Sequence, residues 1–233
     1  MTIDMFKDEL SKLNIALTEE QENQLNKYYE LLIEYNKVMN LTGITEKEEV
    51  YLKHFYDSLT LSKVIDLNSE KTLCDMGTGA GLPGIVLKIV FPNLKITLLD
   101  SLNKRIEFLK IVIKELGLTN IEAIHCRVEE YGIKNRELFD IVTARAVAAT
   151  SILLEFASSQ VKVGKYFIAM KGNLEKESNY EKALLQLNFK LLKTDEFLLP
   201  IEGSSRTLLL FKKEKETSKK FPRKFSEIKK SPL

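Results

Sequence analysis

The chain has 233 residues, of which 44% are hydrophobic, and its formal net charge at pH 7 is only +2. This length suits one α/β domain with an appendage, and the apolar content is enough to bury a substantial core. The sequence contains no apolar run long enough to span a bilayer, and the N-terminus MTIDMFKDELSK lacks the apolar core of a signal peptide. We therefore expect a soluble, cytoplasmic protein with no membrane contact.

The first 66 residues are predicted to form a helical cap. Residues 19–39 repeat apolar side chains at alternating intervals of three and four, which makes one stripe of an amphipathic helix. That stripe consists of Leu25, Tyr28, Leu32, Tyr35 and Met39. A turn at Thr42-Gly43 separates it from a second helical stretch over about 46–64. We expect both helices to pack on the body of the protein.

The following part of the chain alternates short apolar runs with helical patterns. Strands are predicted near 72–76, 95–100, 121–127, 139–144 and 165–170, and helices near 82–90, 102–116, 147–160 and 174–187. Alternation of this kind is typical of βαβ units, which build a parallel sheet covered on both faces.

The end of the body differs, because two strand-like runs follow each other without a helix. Residues 189–199 and 206–213 are joined by a Gly-Ser turn, which predicts an antiparallel hairpin at the sheet edge. A mostly parallel sheet finished in this way is the layout of S-adenosylmethionine-dependent methyltransferases. We predict a Rossmann-like α/β fold with a seven-stranded, mostly parallel sheet whose last strand is antiparallel, in a domain over 67–213 that follows the cap 1–66.

The C-terminal stretch 214–233 is predicted as a separate basic tail. From Lys212 onward the chain has nine Lys or Arg against three Glu, whereas the remaining chain is acidic. Such a tail suggests a polyanionic partner, because phosphate contacts by Lys and Arg release counterions. A solvated, disordered terminus is the alternative.

The two cysteines do not indicate a disulfide or a metal site. Cys74 and Cys126 lie in apolar, strand-like runs, and the sequence has no Cys-x-x-Cys pairing. We expect two buried, reduced thiols and no bound metal. His125 lies in the same strand-like run as Cys126 and is expected to be a core residue.

A glycine-rich loop, CDMGTGAGLPG at 74–84, follows the first predicted strand of the body and precedes a helix. It can be read as D-x-G-x-G-x-G, typical of S-adenosylmethionine sites, or as the dinucleotide fingerprint G-x-G-x-x-G. Asp100 closes the next strand, where a carboxylate accepts hydrogen bonds from ribose hydroxyls of either cofactor. Asp75 favours the first interpretation, since an acidic residue there suits a cofactor that carries ammonium and sulfonium charges. A dehydrogenase and a ligand-free turn remain the alternatives.

Seven segments of the chain resemble the GidB/RsmG family of bacterial 16S rRNA guanine-N7 methyltransferases. They are YNKVMNLTGIT (35–45), KHFYDSL (53–59), DMGTGAGLPGIVL (75–87), TLLDSLNKRIEFLK (97–110), RVEEY (127–131), FDIVTARAVA (139–148) and MKG (170–172). The resemblance implies a class I methyltransferase fold and S-adenosyl-L-methionine as cofactor. It also implies methyl transfer to N7 of a guanosine in the decoding-region loop, with 16S rRNA or the small ribosomal subunit as partner.

The resemblance also implies a set of cofactor-binding residues at the carboxyl ends of the predicted strands. Asp75 would lie at the methionine end, and Val128 and Glu129 would lie beside the adenine. The full set is Asp75, Gly77, Gly79, Gly81, Leu82, Asp100, Ser101, Leu102, Val128, Glu129 and Arg145. The chain departs from the family at Ala80, where a proline is usual, and at Gly203-Ser204-Ser205-Arg206-Thr207, where Gly-Glu-Arg-His is usual.

Methylation at guanine N7 requires no general base, because N7 offers an in-plane lone pair. Catalysis can then consist of alignment and electrostatic stabilisation. The sequence fits, since it lacks both the Asn/Asp-Pro-Pro-Tyr of amino-group methylation and the Pro-Cys of cytosine C5 methylation. We predict Arg145, after the fourth strand, and Lys171, after the fifth, as catalytic residues. Arg145 would contact guanine O6 or a phosphate and leave N7 free.

Other polar residues are candidates for RNA binding or for support of the active site. Lys104, Arg105, Arg206, Arg223 and Lys224 are predicted to contact RNA, although a solvated helix face is an equal interpretation for the first two. His54, Asp57 and Ser58 share one helix face. They either support the active site or only fix the cap to the body. A methyltransferase of another substrate and a non-catalytic RNA-binding assembly factor remain alternative functions.

Overall fold

The computed structural model describes residues 1–172 and 180–233, and a seven-stranded sheet forms its centre. The strands are β1 Thr72–Met76, β2 Lys95–Asp100, β3 Ile121–His125, β4 Phe139–Arg145, β5 Val161–Lys171, β6 Phe189–Leu198 and β7 Ser205–Lys213. Their order across the sheet is β3-β2-β1-β4-β5-β7-β6. Neighbours among β1 to β5 are parallel, and β7 is antiparallel to both β5 and β6. The predicted architecture is therefore confirmed.

The strand order reverses at β1, which lies between β2 and β4. In sheets of this kind ligands bind beyond the carboxyl ends of the strands at that switch point. The register sets Asp75 of β1 beside Thr143 of β4. The chain segments that follow β1 and β4 therefore leave the sheet side by side.

Helices cover both faces of the sheet. They are α5 Gly84–Val90, α6 Asn103–Glu115, α7 Val128–Lys134, α8 Thr150–Ser158 and α9 Glu181–Leu187. Four of these match the predicted helices, although the first part of the helix predicted at 174–187 lies outside the described residues. Helix α7 adds to the predicted elements. No helix in the described part of the chain combines the length and apolar content needed to cross a bilayer.

The cap consists of α1 Ile3–Ser11, α2 Glu19–Met39 and a continuous helical segment over 47–63. That segment contains α3 Lys47–Val50, a π-helical turn Tyr51–Tyr56, α4 Asp57–Leu59 and a 3-10 turn Thr60–Lys63. Thr18 and Gln21 form a capping box at the start of α2, which satisfies two helix-end donors. Helix α1 adds to the predicted elements. Cap residues such as Phe6 and Phe55 belong to one buried cluster with Ile85 of the body, so the cap packs directly on one face of the sheet.

The C-terminal tail packs on the opposite face of the sheet and ends in helix α10, Phe225–Lys230. Phe221 and Ile228 are buried in the same cluster as Phe167 of β5. The alternative of a disordered tail is therefore wrong. Burial of these two apolar side chains provides the free energy that offsets the loss of chain entropy. The domain limits at 66 and 213 stay a prediction.

One core assignment from the sequence is wrong because β3 is an edge strand. His125 is exposed, with Nε2 lying 3.1 Å from the carbonyl oxygen of Ser101. Cys126 is only half-buried, whereas Cys74 in the central strand β1 is fully buried as expected. An apolar run does not reveal which strand forms the edge of the sheet.

Candidate active site

The glycine-rich loop leaves β1 and is held between the cap and the second strand of the body. Gly79 has a φ of +62°, and its amide donates to Asp100 Oδ2 at 2.9 Å. A Cβ on Gly81 would lie 2.5 Å from Ile85 Cγ1 and 3.1 Å from the Tyr28 hydroxyl oxygen. The same hydroxyl donates to the carbonyl of Ala80 at 2.6 Å. Helix α2 therefore packs against the loop through Tyr28 and stabilises its conformation.

The buried Tyr28 hydroxyl provides a direct test of this support. Tyr28→Phe leaves the Ala80 carbonyl oxygen without its donor, so we expect the free energy of unfolding to fall by about 1–2 kcal/mol. Affinity for S-adenosylhomocysteine should fall a few-fold as the loop loosens. Tyr29→Phe removes a solvent-exposed bond to the carbonyl of Thr45 and is the matched control. Equal effects of the two variants in urea unfolding and calorimetry would contradict the role given to Tyr28.

Asp75 is fully buried and connects the loop to the start of α5. Its Oδ2 accepts from Thr78 Oγ1 at 2.6 Å and from the Gly84 amide at 2.9 Å. Burial raises the pKa of this carboxyl to about 6. Its Oδ1 is buried and has no hydrogen-bond partner among the described residues. The predicted place of Asp75 at the methionine end stays a prediction.

Asp100 joins three segments at the carboxyl end of β2. It is only 2% exposed, and besides the Gly79 amide it accepts from the Leu102 amide at 2.9 Å and from Arg105 Nη1 at 3.2 Å. Its carboxylate thus fixes the loop and lies at a cavity wall together with Arg105. The guanidinium of Arg105 pairs with Asp100, and its predicted contact with RNA stays a prediction.

A cavity of about 510 Å³ opens at the switch point of the sheet. We call it the larger cavity. Six predicted cofactor residues line it, namely Gly77, Asp100, Ser101, Val128, Glu129 and Arg145. The remaining lining residues are Arg105, Arg127, Ala146, Val147, Ala148, Ile152, Phe156, Phe225 and Lys229. Asp75, Gly79, Gly81, Leu82 and Leu102 are not among the lining residues. The first four belong to the stretch 74–84, and Leu102 directly precedes α6.

The larger cavity suits a nucleoside-bearing cofactor such as S-adenosylmethionine. Its volume lies within the usual range for small-molecule sites. Asp100 and Glu129 contribute carboxylates to its wall, and carboxylates can accept hydrogen bonds from ribose hydroxyls and amino groups. Val128, Ile152 and Phe156 supply apolar walls for a flat base. A Cβ on Gly77 would lie 2.8 Å from Val147 Cγ2, so only glycine leaves the backbone this close to the wall.

A smaller cavity of about 330 Å³ lies next to the larger one and shares Arg145 and Ala146 with it. It brings together five of the residues predicted to act in catalysis, RNA binding or support, which are His54, Asp57, Arg145, Lys171 and Arg206. Its other lining residues are Ile44, Lys53, Ala146, Met170, Gly172 and Leu208. Ala146 has a φ of +54°, a conformation that non-glycine residues rarely adopt and that is common at functional sites.

Asp57 from the cap orients two arginines of the smaller cavity. Its Oδ2 accepts from Arg145 Nη1 and its Oδ1 from Arg206 Nε, each at 3.1 Å. Arg145 Nη1 also donates to the carbonyl of Lys53 at 3.1 Å, and Lys171 Nζ donates to the carbonyl of Ala148 at 2.6 Å. Arg145 therefore connects β4 to the cap. Ser58 lies outside the cavity, where its hydroxyl donates to the carbonyl of His54.

His54 is neutral at physiological pH. Burial, with a further contribution from Arg145, lowers its pKa to about 4. Nδ1 lies 3.1 Å from the carbonyl oxygen of Lys53, and Nε2 lies 2.8 Å from Thr42 Oγ1. A protonated Nδ1 would donate to that carbonyl, and Nε2 would then accept from the threonine hydroxyl. The ring thereby connects the two cap segments that border the smaller cavity.

The lowered pKa of His54 makes stability depend on pH. The unfolded chain binds a proton near pH 6.5 and the folded one only near 4, so stability is lost as pH falls below 6.5. Between pH 7 and 5 we expect wild type to lose about 2 kcal/mol more than His54→Gln. Urea unfolding at the two pH values measures this. The exposed His125→Gln is the control, and it should keep the wild-type pH dependence.

The structure also shows the surroundings of three other residues that are predicted to contact RNA. Arg223 is bound to Glu155, which gives it a structural contact, and its predicted contact with RNA stays a prediction. Two of its guanidinium nitrogens lie 2.6 and 2.8 Å from the oxygens of that fully buried carboxylate. Lys104 Nζ donates to the carbonyl of Met39 on the cap, and Lys224 is exposed.

Sequence reasoning missed part of the wall of the larger cavity. Arg127 and Val147 lie in the segments RVEEY and FDIVTARAVA but were not predicted to bind the cofactor, and Ile152 lies in no such segment. Phe225 and Lys229 belong to the tail, for which the sequence predicts contact with RNA. The aromatic residue at 225 inside a basic stretch was the one available signal, since large apolar side chains usually pack.

Comparisons with known proteins agree with the fold. A family model, GidB, described as rRNA small subunit methyltransferase G, matches residues 21–203. Ribosomal RNA small subunit methyltransferase G of Lysinibacillus sphaericus is 47% identical, and the alignment covers 100% of both chains. The protein of the same name from Lactobacillus helveticus is 49% identical, again over 100% of both chains.

Among solved structures, a SAM dependent methyltransferase from Aquifex aeolicus matches with a TM-score of 0.54 and 16% identity, over 71% of this chain and 93% of that chain. At this identity the likeness shows the fold alone. The family match and the full-length relatives go further, and from them it follows that this chain belongs to the GidB family of rRNA small subunit methyltransferases.

Proposed function

We propose that this chain transfers the methyl group of S-adenosylmethionine to N7 of a guanosine in 16S rRNA. The larger cavity would hold the cofactor, and the smaller cavity would hold the guanine. The observation that carries this proposal is that the two cavities share Arg145 and Ala146. A methyl group can pass directly between two ligands only if their sites adjoin. The printed names of the relatives support rRNA of the small subunit as the substrate.

The residues of the smaller cavity suit the recognition of a guanine rather than its deprotonation. The cofactor supplies an electrophilic methyl group on a sulfonium sulfur. Arg145 can donate to guanine O6, which leaves the N7 lone pair free. His54 is neutral and already hydrogen-bonded on both ring nitrogens. Neither residue needs to take a proton, which agrees with a reaction in which N7 carries none.

The charges around the smaller cavity suit an RNA backbone. Among the described residues that line this cavity, Lys53, Arg145, Lys171 and Arg206 contribute four cations and Asp57 contributes one carboxylate. Lys53 is also paired with Glu49 and Glu202. Asp57 offsets part of that charge and holds both arginines in place. Arg206 and Lys171 flank the site, where they can bind phosphates next to the flipped-out or unpaired base. We further propose a cytoplasmic protein that acts on 16S rRNA, alone or in the small ribosomal subunit.

Methyl transfer from radiolabelled S-adenosylmethionine tests the substrate class. We expect label in purified 16S rRNA or in small subunits, and none in 23S rRNA or in the protein-only reaction. Equal labelling without RNA would show another substrate. Cofactor binding without transfer to any RNA would favour a non-catalytic assembly factor.

A further inference from the structure

The C-terminal helix α10 is fixed beside the larger cavity at two points. Just before the helix, the Arg223 amide and guanidinium bind the carboxylate of Glu155, which is fully buried on α8. Within the helix, Ile228 is buried in the same hydrophobic cluster as Phe167 of β5. A buried ion pair with several hydrogen bonds holds its partners in a defined geometry. Because α8 also supplies Ile152 and Phe156 to the cavity wall, the position of α10 relative to that wall is set.

Two side chains of α10 complete the wall of the larger cavity. Phe225 and Lys229 are four residues apart, so they share one face of the helix, and both line the cavity. The Phe225 ring lies 6.3 Å from the Phe156 ring at an interplanar angle of 28°, and the Arg127 guanidinium carbon lies 5.6 Å from its centroid. Phe225 is nevertheless 40% exposed. An aromatic ring that is held in place and left partly open at a cavity offers a surface to a ligand.

We infer that α10 is part of the cofactor site and that Phe225 contacts the adenosine half of bound S-adenosylmethionine. The inference rests on the proposed assignment of the larger cavity to the cofactor. Val128 and Glu129, which the family resemblance sets beside the adenine, directly follow Arg127 in the chain, and Arg127 contacts the Phe225 ring. Aromatic rings bind bases through their faces and edges. The tail thus serves cofactor binding through Phe225, in addition to any contact with RNA.

Coupling between the tail and the cofactor follows from this position. A ligand that binds the folded tail but not the detached one stabilises the attached form. Cofactor binding should therefore slow the opening of α10, and loss of the Phe225 ring should weaken cofactor binding without unfolding the protein. Because the ring is partly exposed, its removal should lower the free energy of unfolding only slightly.

The test uses the full-length protein and S-adenosylhomocysteine, which binds without reacting. Calorimetry should show about tenfold weaker binding by Phe225→Ala, with a smaller loss for Phe225→Leu, which keeps apolar volume. Lys230→Ala, an exposed lysine of the same helix outside the cavity wall, is the control and should bind like wild type. Hydrogen exchange of residues 222–231 should slow when wild type is saturated with S-adenosylhomocysteine.

The outcomes separate this inference from the proposed function. If wild type binds S-adenosylhomocysteine but Phe225→Ala binds equally tightly and exchange in 222–231 is unchanged, the inference is wrong and the cofactor assignment stands. If wild type binds no S-adenosylhomocysteine, the assignment of the larger cavity fails, and the inference fails with it. Circular dichroism and thermal unfolding of each variant verify that the fold is retained.

Discussion

Replacing Arg145 with alanine is expected to reduce methyl transfer to 16S rRNA at least about 100-fold, because the boundary between the two cavities loses its guanidinium. Removing one donor that stabilises a transition state typically has an effect of this size. Affinity for S-adenosylhomocysteine should change by less than about tenfold, since Asp100 and Glu129 remain in the larger cavity. Single-turnover labelling and calorimetry measure the two quantities separately.

Two further variants make the Arg145 result interpretable. Lys190→Ala removes one exposed cation from β6, far along the sheet from the switch point, and should transfer methyl groups like wild type. Asp57→Asn keeps the shape of the side chain but weakens its hold on Arg145 and Arg206, so it should lower the transfer rate while the cofactor still binds. If Arg145→Ala loses cofactor binding as severely as transfer, its role lies in the larger cavity alone.

The second large effect is expected at Asp100. Asp100→Asn removes the charge that accepts hydrogen bonds from the Gly79 and Leu102 amides and from Arg105. Hydrogen bonds to a charged group contribute about 1.5–3 kcal/mol each. We expect the dissociation constant for S-adenosylmethionine to rise about 10- to 100-fold.

Calorimetry measures the Asp100 effect, and Asp8→Asn, which changes an exposed carboxylate of α1, is the matched control. At saturating cofactor, the transfer rate of Asp100→Asn should recover most of the wild-type value, because Asp100 does not line the smaller cavity. A rate that stays low at saturation, with unchanged affinity, would contradict the assignment of Asp100 to the cofactor site.

The fold and nearly half of the residues that line the two cavities could be predicted from the sequence. Alternating strand and helix patterns indicate parallel βαβ units, and the carboxyl ends of such strands meet at one edge of the sheet. That rule brings Gly77, Asp100, Glu129 and Arg145 together without knowledge of side-chain positions. The family resemblance then names the ligand.

Contacts between distant parts of the chain could not be predicted in this way. Asp57 binds Arg145 and Arg206 across sequence separations of 88 and 149 residues, and spacing within one helix says nothing about such partners. The charge of the tail suggests a polyanionic partner. The tail is held on the sheet, however, by the burial of Phe221 and Ile228 and by the pairing of Arg223 with Glu155. Net charge describes interactions with partners and solvent and does not determine packing.

The position of the transferred methyl group tests the central claim most directly. The full-length protein is incubated with S-adenosylmethionine and unmodified 16S rRNA or small subunits, and the modified nucleoside is identified by mass spectrometry and located by cleavage at N7-methylguanosine. We predict a single N7-methylguanosine in the decoding-region loop, and a strongly reduced amount of it after the same reaction time with Arg145→Ala. A methyl group on another atom, or at many guanosines, would contradict the proposal that the smaller cavity holds one guanine with its N7 facing the cofactor.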